Sequence, residues 1–195
     1  MNIFKNATIL ITGGSGSWGN ELTRQLLEHT PERIIIFSRG EIAQVAMQRR
    51  FNNPKIKFVI GDVRDCDAIS RVFAGNNIDY VFHLAALKHV PICENEPQEA
   101  CRTNIDGIRN VIDVIIEKGH VRKFFLVSTD KAVDPVNVYG NTKAIAEKMV
   151  INANTRTTGT EFLCIRGGNV LGTNGSLVPY LLDQIKTRTA INITD

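Results

Sequence analysis

Residues 7–19 read ATILITGGSGSWG. The first part, Ala7–Ile11, is a short apolar run rich in β-branched side chains, with no polar alternation, so it reads as a strand buried on both faces. Thr12-Gly13-Gly14-Ser15-Gly16-Ser17-Trp18-Gly19 follows, and Leu22, Leu26 and Leu27 beyond it mark a helix. Glycines at 13, 16 and 19 permit a tight turn, a close backbone approach to a pyrophosphate, and close contact between helix and strand. A helix that starts there turns its unpaired N–H groups toward the phosphates. A glycine-rich turn alone is weak evidence, but between a strand and a helix it predicts a dinucleotide site.

The same rhythm continues along the chain. Strand-like runs fall at Ala7–Ile11, Arg33–Phe37, Ile56–Ile60, Tyr80–Leu84, Lys123–Val127 and Phe162–Arg166, with helical patterns between them. The clearest helix lies near Glu99–Lys118, where Ile105, Ile108, Val111, Ile112, Ile115 and Ile116 recur at three- and four-residue steps and Gly119 follows as a C-cap. Apolar strands that alternate with helices require a parallel sheet covered on both faces. The expected fold class is therefore α/β, a doubly wound, mostly parallel sheet (Rossmann fold), with Ile191–Asp195 reading as the start of one more strand and turn.

Composition agrees. The 195 residues are 43% hydrophobic and 22% charged, a globular balance that excludes disorder, collagen and coiled coil. No apolar run nears the ~20 residues of a membrane span, and nothing at the amino terminus reads as a signal peptide. Cys66, Cys93, Cys101 and Cys164 form no CxxC pair and read as buried thiols in a reducing cytoplasm. The net charge of +3 is mild and its lysines and arginines form no stripe, so neither nucleic acid nor membrane is an expected partner. His29, His83, His89 and His120 read as structural, and no metal-ligating cluster is expected.

Three further places carry chemistry. Where the second strand ends, an NAD binder usually places an acid for the ribose. Here stand Ser38 and Arg39, a hydroxyl and a guanidinium that suit a ribose phosphate, so NADP is expected and NAD is the less favoured cofactor. The plainer alternative makes Arg39 a solvated loop residue and gives the ribose to Glu41. Asp62-Val63 follows the third strand and faces an adenine, unless Asp62 only caps the next helix. In Tyr139-Gly-Asn-Thr-Lys143 the first and last residues share a helix face, so the Lys143 ammonium is expected to lower the Tyr139 pKa and make the phenol a base. Ser128-Thr129-Asp130-Lys131-Ala132 closes the fifth strand at the end where open α/β sheets bind ligands, and offers an acid, an amine and hydroxyls in one loop. A surface ion pair or a helix cap is the bland reading of Asp130-Lys131.

With these residues in place the chain resembles the extended short-chain dehydrogenase/reductases, and among them the inverting UDP-N-acetylglucosamine 4,6-dehydratases of bacterial polysaccharide and pseudaminic acid biosynthesis. The matching stretches are ITGGSGSWG, FSRGE, GDVRD, AALKHVP, TNIDG, STDKA, VYGNTKAIAEK and GNVLGTNGSLVP. STDKA followed by YGNTK is the specific part, because epimerases of the family usually carry small residues where Asp130 and Lys131 stand, and retaining dehydratases a glutamate in place of Lys131. The resemblance implies cofactor contacts at Gly13, Ser15, Gly16, Ser17, Trp18, Gly19, Ser38, Arg39, Asp62, Val63, Leu84, Lys88, Tyr139 and Lys143. It implies substrate contacts at Lys88, Thr129, Asn169, Gly175 and Ser176. The chain departs from the family's pattern at Gly40, Ala43 and Gly167, which replace an acid, a lysine and an aromatic residue.

What the resemblance implies about activity is a lyase reaction run by oxidoreductase machinery. Tyr139, activated by Lys143, would take the proton of the sugar 4-hydroxyl while NADP takes the hydride; Lys131 would remove the C5 proton, and Asp130 would protonate the departing 6-hydroxyl near Thr129. It also implies a UDP-sugar substrate, a homo-oligomer and a cytoplasmic location. Residues 1–195 would be the NADP-binding Rossmann domain with its catalytic loop and helix, and the segment that closes over the sugar would lie beyond residue 195. An NADP-dependent 4-epimerase or sugar dehydrogenase, and a catalytically silent dinucleotide-binding fragment, stay open as alternatives.

Overall fold

The structure is a computed structural model that describes residues 2–118, 120–173, 176–187 and 189. In chain order the elements are β1 (Thr8–Thr12), α1 (Ser17–Glu28), β2 (Arg33–Ser38), α2 (Glu41–Phe51), β3 (Ile56–Ile60), α3 (Cys66–Ala74), β4 (Tyr80–His83), α4 (Val90–Asn95), α5 (Pro97–Cys101), α6 (Gly107–Lys118), β5 (Lys123–Thr129), α7 (Val138–Ala153), β6 (Glu161–Gly167) and α8 (Leu177–Thr187). The six strands form one sheet in the order β3-β2-β1-β4-β5-β6, with every neighbouring pair parallel. This order reverses between β1 and β4, which opens a crevice at the carboxyl ends of those strands.

Each of the six strand-like runs is a strand, its ends shifted by at most two residues, because the apolar runs have two faces to bury. Alternate side chains of the central strands enter two separate cores. Leu10, Ile35, Phe37, Val81, Phe124 and Leu126 pack with α3, α6 and α7, while Ile9, Ile11, Ile34, Ile36, Tyr80 and Phe82 pack with Leu26 of α1 and Met47 of α2.

The helical run near Glu99–Lys118 is interrupted. Between α5 and α6 the backbone of Arg102–Asp106 makes a π-helical turn, which inserts a residue and rotates the register of everything before it. Hydrophobic periodicity does not reveal such an insertion. Gly119 and Ile191–Asp195 lie outside the described residues.

The cysteines depart from expectation. Cys93 is buried and Cys164 partly so, but Cys66, the first residue of α3, and Cys101, the last of α5, are exposed. Both sit at helix ends whose inward faces are filled by Ala68 and Ala100, so their thiols turn outward. Among the described residues no helix is long and apolar enough to cross a membrane.

Candidate active site

One cavity of about 900 Å³ opens at the carboxyl ends of the strands. Its floor is the turn after β1. Gly13 has φ +68°, a left-handed conformation, and a Cβ there would stand 2.7 Å from the Ala85 backbone nitrogen. The Gly13 N–H donates to the Phe37 carbonyl at 2.7 Å, which ties the turn to β2. At Gly19 a Cβ would lie 2.1 Å from the Gly14 carbonyl oxygen, so only glycine lets α1 fold back on its own turn. Gly16 caps α1 without a side-chain bond and the first turn holds no acid, leaving the helix N-terminus open to an anion. Trp18 reaches across the crevice, its ring 3.7 Å from where a Gly167 Cβ would be.

At the β2 end Ser38 and Arg39 both line the cavity, with the Arg39 guanidinium 3.7 Å from Asp62 Oδ2. Glu41 opens α2 and is not among the lining residues. Asp62 caps no helix: Asp65 caps α3, accepting from the Ala68 N–H at 3.0 Å. Asp62 instead accepts from the Arg64 N–H and side chain at 2.9 Å, and Arg64 continues to Glu99 at 2.5 Å. Burial pushes the Asp62 carboxyl up, but Arg64 and then Arg39 outweigh it and hold the group below the usual carboxylate range. Ser15 does not line the cavity; its hydroxyl lies behind Ser38, 2.9 Å from Ser38 Oγ.

The strand-end loop from Leu84 to His89 forms the next wall. It is held by a residue that sequence reasoning missed. Asn104, within the π-helical turn, accepts from the Leu87 N–H at 2.9 Å, donates to the Leu87 carbonyl at 3.0 Å, and donates to Thr142 Oγ1 at 3.0 Å. One amide thus fastens the loop carrying Lys88 to α7.

Opposite stands the β5 end. Thr129 finishes the strand, donates to Asp130 Oδ1 at 2.9 Å, and caps a 3-10 turn over Asp130–Ala132. The Lys131 ammonium lies 3.2 Å from Asp130 Oδ1 and 3.5 Å from Asn169 Oδ1, which links this loop to the one after β6. Thr129, Lys131, Tyr139, Lys143 and Asn169 all line the cavity, whereas Asp130 sits at its rim with a half-exposed side chain. On α7, Asn137 caps the helix and Gly140 brings it against the loop: a Cβ at Gly140 would stand 2.3 Å from the Lys131 carbonyl oxygen.

The electrostatics differ from the sequence reading in two places. Burial pushes the Tyr139 phenol above its usual value, although the Thr129 hydroxyl pulls the other way. Lys143 is not among the groups that lower it: it is itself buried, donates to the Val127 carbonyl at 2.8 Å, and has its own pKa pushed down to about 8 by desolvation. The second is Asp130, whose carboxyl is held below the usual range by the Thr129 hydroxyl and then by Lys131, so it rests as a carboxylate. Deeper on the same face of α7, Glu147 is buried and paired with Arg166 at 2.6 Å, and its charge favours the Lys143 ammonium. His83, wholly buried against Thr12 Oγ1 at 2.9 Å, is driven by desolvation down to about 3 and is neutral.

The residues fit a dinucleotide. Besides the glycine cradle and the open helix N-terminus, Thr103 Oγ1 is buried, lines the cavity and has no hydrogen-bond partner among the described residues. Val63, Leu84, Lys88 and Ser176 also line it. Gly175 lies outside the described residues.

The family model described as polysaccharide biosynthesis protein matches residues 9–195. A UDP-N-acetylglucosamine 4,6-dehydratase (inverting) of Campylobacter jejuni is 47% identical over 181 residues, covering 91% of this chain and 53% of that protein. A UDP-glucose 4-epimerase of Rickettsia conorii is 44% identical over 199 residues, covering 99% of this chain and 58% of that protein. The X-ray structure of Pen from Bacillus thuringiensis superposes with a TM-score of 0.93 at 40% identity, over 98% of this chain and 61% of that one. The chain thus spans between half and three-fifths of the length of these relatives. With the family model matched from β1 onward and the sheet ordered as a Rossmann fold, the chain belongs to the polysaccharide biosynthesis protein family, within the extended short-chain dehydrogenase/reductases.

Proposed function

We propose that this chain supplies the NADP-binding and catalytic part of a UDP-N-acetylglucosamine 4,6-dehydratase that inverts C5. The observation that carries this reading is the Lys131 ammonium, set 3.2 Å from Asp130 at the β5 end and lining the same cavity as Tyr139 and Lys143. A redox step at C4 alone does not need that amine. Elimination across C5 and C6 does.

The glycine turn and the α1 N-terminus would hold the pyrophosphate, Ser38 and Arg39 the ribose phosphate, and Asp62 and Val63 the adenine. Bound NADP supplies one chemistry, accepting a hydride from the sugar C4 and returning it at C6. Tyr139 takes the 4-hydroxyl proton, with Thr129 bonded beside it. A ketone at C4 makes the C5 hydrogen acidic. Lys131 removes that proton as a neutral amine, and Asp130 in its acid form protonates the leaving 6-hydroxyl. The resting ion pair becomes this acid and base by one proton transfer along the hydrogen bond between them, which a sugar that excludes water favours, because desolvation disfavours both charges. A solvent-derived proton delivered to C5 from the opposite face inverts the centre, and the proton that Tyr139 took returns to solvent. The cytoplasmic location and homo-oligomer implied by the family resemblance belong to the same proposal.

A 4-epimerase is the second reading. The Rickettsia relative favours it, as does the ionised state of Asp130 at the cavity rim. Product analysis separates the two: a 4-keto-6-deoxy sugar from UDP-N-acetylglucosamine supports the dehydratase, and a 4-epimer that keeps its 6-hydroxyl supports the alternative.

A further inference from the structure

Gln44 of α2 is 4% exposed, and nothing in the sequence reading used it. A buried amide is costly unless its polar atoms are paired. Here the amino group reaches three acceptors with its two hydrogens: one goes to the Val59 carbonyl at 2.9 Å, and the other is shared between the Ser38 carbonyl at 3.0 Å and Ser38 Oγ at 2.9 Å. Two backbone carbonyls on one side require the nitrogen there, so the orientation of the amide is fixed. Gln44 therefore spans the carboxyl ends of β2 and β3 directly behind Ser38.

The consequence concerns hydrogens. Ser38 Oγ accepts from Gln44 and lies 2.9 Å from Ser15 Oγ. Between them the two serines own two hydroxyl hydrogens, and one is used in the bond that joins them. When Ser15 is the donor of that bond, Gln44 and Ser15 fill both acceptor sites of Ser38, and its own hydrogen is left for an acceptor outside the trio. Ser38 and the adjacent guanidinium of Arg39 both line the cavity at that point. The acceptor that suits a hydroxyl donor beside a guanidinium is an anionic oxygen.

We infer that Gln44 is a positioning residue for cofactor selection: by filling an acceptor site of Ser38 and fixing that residue at the β2 end, it favours the arrangement in which Ser38 donates into the cavity, and so a dinucleotide with a phosphate on its ribose over one without. This rests on the NADP reading above and extends it to a side chain that touches no cofactor atom.

The test is calorimetric titration of this chain with NADP and with NAD, for wild type, Gln44→Met, Ser38→Ala and the double variant, with each melting temperature measured. Gln44→Met keeps the shape and removes the donors. It is expected to lower the preference for NADP about tenfold through the NADP affinity, the size of one hydrogen bond to a charged group. Ser38→Ala, which leaves both carbonyl bonds of Gln44 in place, is expected to lose a similar factor, and the double variant no more than Ser38→Ala alone. Equal affinities in the wild type would overturn the NADP reading and this inference with it. A wild-type preference that survives in Ser38→Ala or in folded Gln44→Met, or that falls only because both affinities drop equally, would overturn the inference alone. Should Gln44→Met not fold, Gln44→Leu takes its place, and an unchanged preference in the folded variant overturns the inference.

Discussion

Gly140 packs so closely on Lys131 that a Cβ at the helix position would stand 2.3 Å from the Lys131 carbonyl oxygen. This contact sets the distance between the loop that offers the amine and the helix that offers the phenol. Backbone lies on both sides of it, so neither can yield cheaply. Gly140→Ala is expected to destabilise the chain by about 1–3 kcal/mol and, by separating Lys131 from Tyr139, to lower turnover by about a hundredfold. Denaturant unfolding and a rate assay check the two effects.

Arg39→Ala is expected to reduce NADP affinity by about tenfold or more and to leave NAD affinity nearly unchanged, because only the phosphorylated ribose brings a cofactor anion to the guanidinium. Asp62, 3.7 Å away, loses one of its two arginines but keeps Arg64. Titration with both cofactors measures this, and an equal loss for the two would contradict the assignment.

Lys143 carries a pH signature. Desolvation lowers its folded pKa to about 8 from an ordinary 10.5. Below about pH 8 the lysine is charged in both states and the folded chain bears the full cost of a buried ammonium; above about 10.5 it is neutral in both and the cost is gone. Between them the unfolded chain binds more protons, so this group makes stability rise with pH. Wild type is expected to gain stability relative to Lys143→Met across that window. The difference between the two chains is the quantity to measure, since burial of Cys164, which raises its thiol to about 11, acts with the opposite sign.

Much of this was legible in the sequence, for identifiable reasons. Runs such as Ile9–Ile11 and Ile34–Phe37 must be strands of a covered sheet, since both their faces are apolar and both are buried. The glycine turn, Ser38-Arg39, Asp62, Thr129–Lys131, Tyr139 and Lys143 converge because strand ends converge at a topological switch point. What could not be read depends on distances between segments. Asn104 acts through a π-helical turn that leaves no periodic trace, Gly140 through a neighbour nine positions back, and Gln44 through carbonyls of two strands. The raised Tyr139 and the ionised Asp130 likewise follow from burial and hydrogen bonds that spacing does not convey.

The wall expected to hold the dinucleotide is built by the turns after β1, β3 and β4 together with β2, α1 and α7, whereas α8, next to the expected sugar contact Ser176, contains no buried residue. These residues alone are expected to bind NADP within about threefold of a version lengthened to the span of the curated relatives. They are expected to turn over a UDP-sugar at least about a hundredfold more slowly, because a loosely held substrate loses the reacting geometry. Comparable turnover from the two would contradict this.

The most direct measurement follows C5 itself. The lengthened version is incubated with UDP-N-acetylglucosamine in heavy water and the product is read by NMR. The expected product is a 4-keto-6-deoxy sugar with deuterium at C5 and that centre inverted, lost in Lys131→Ala while NADP still binds. A product that is only the 4-epimer, with its 6-hydroxyl and C5 hydrogen retained, would contradict it.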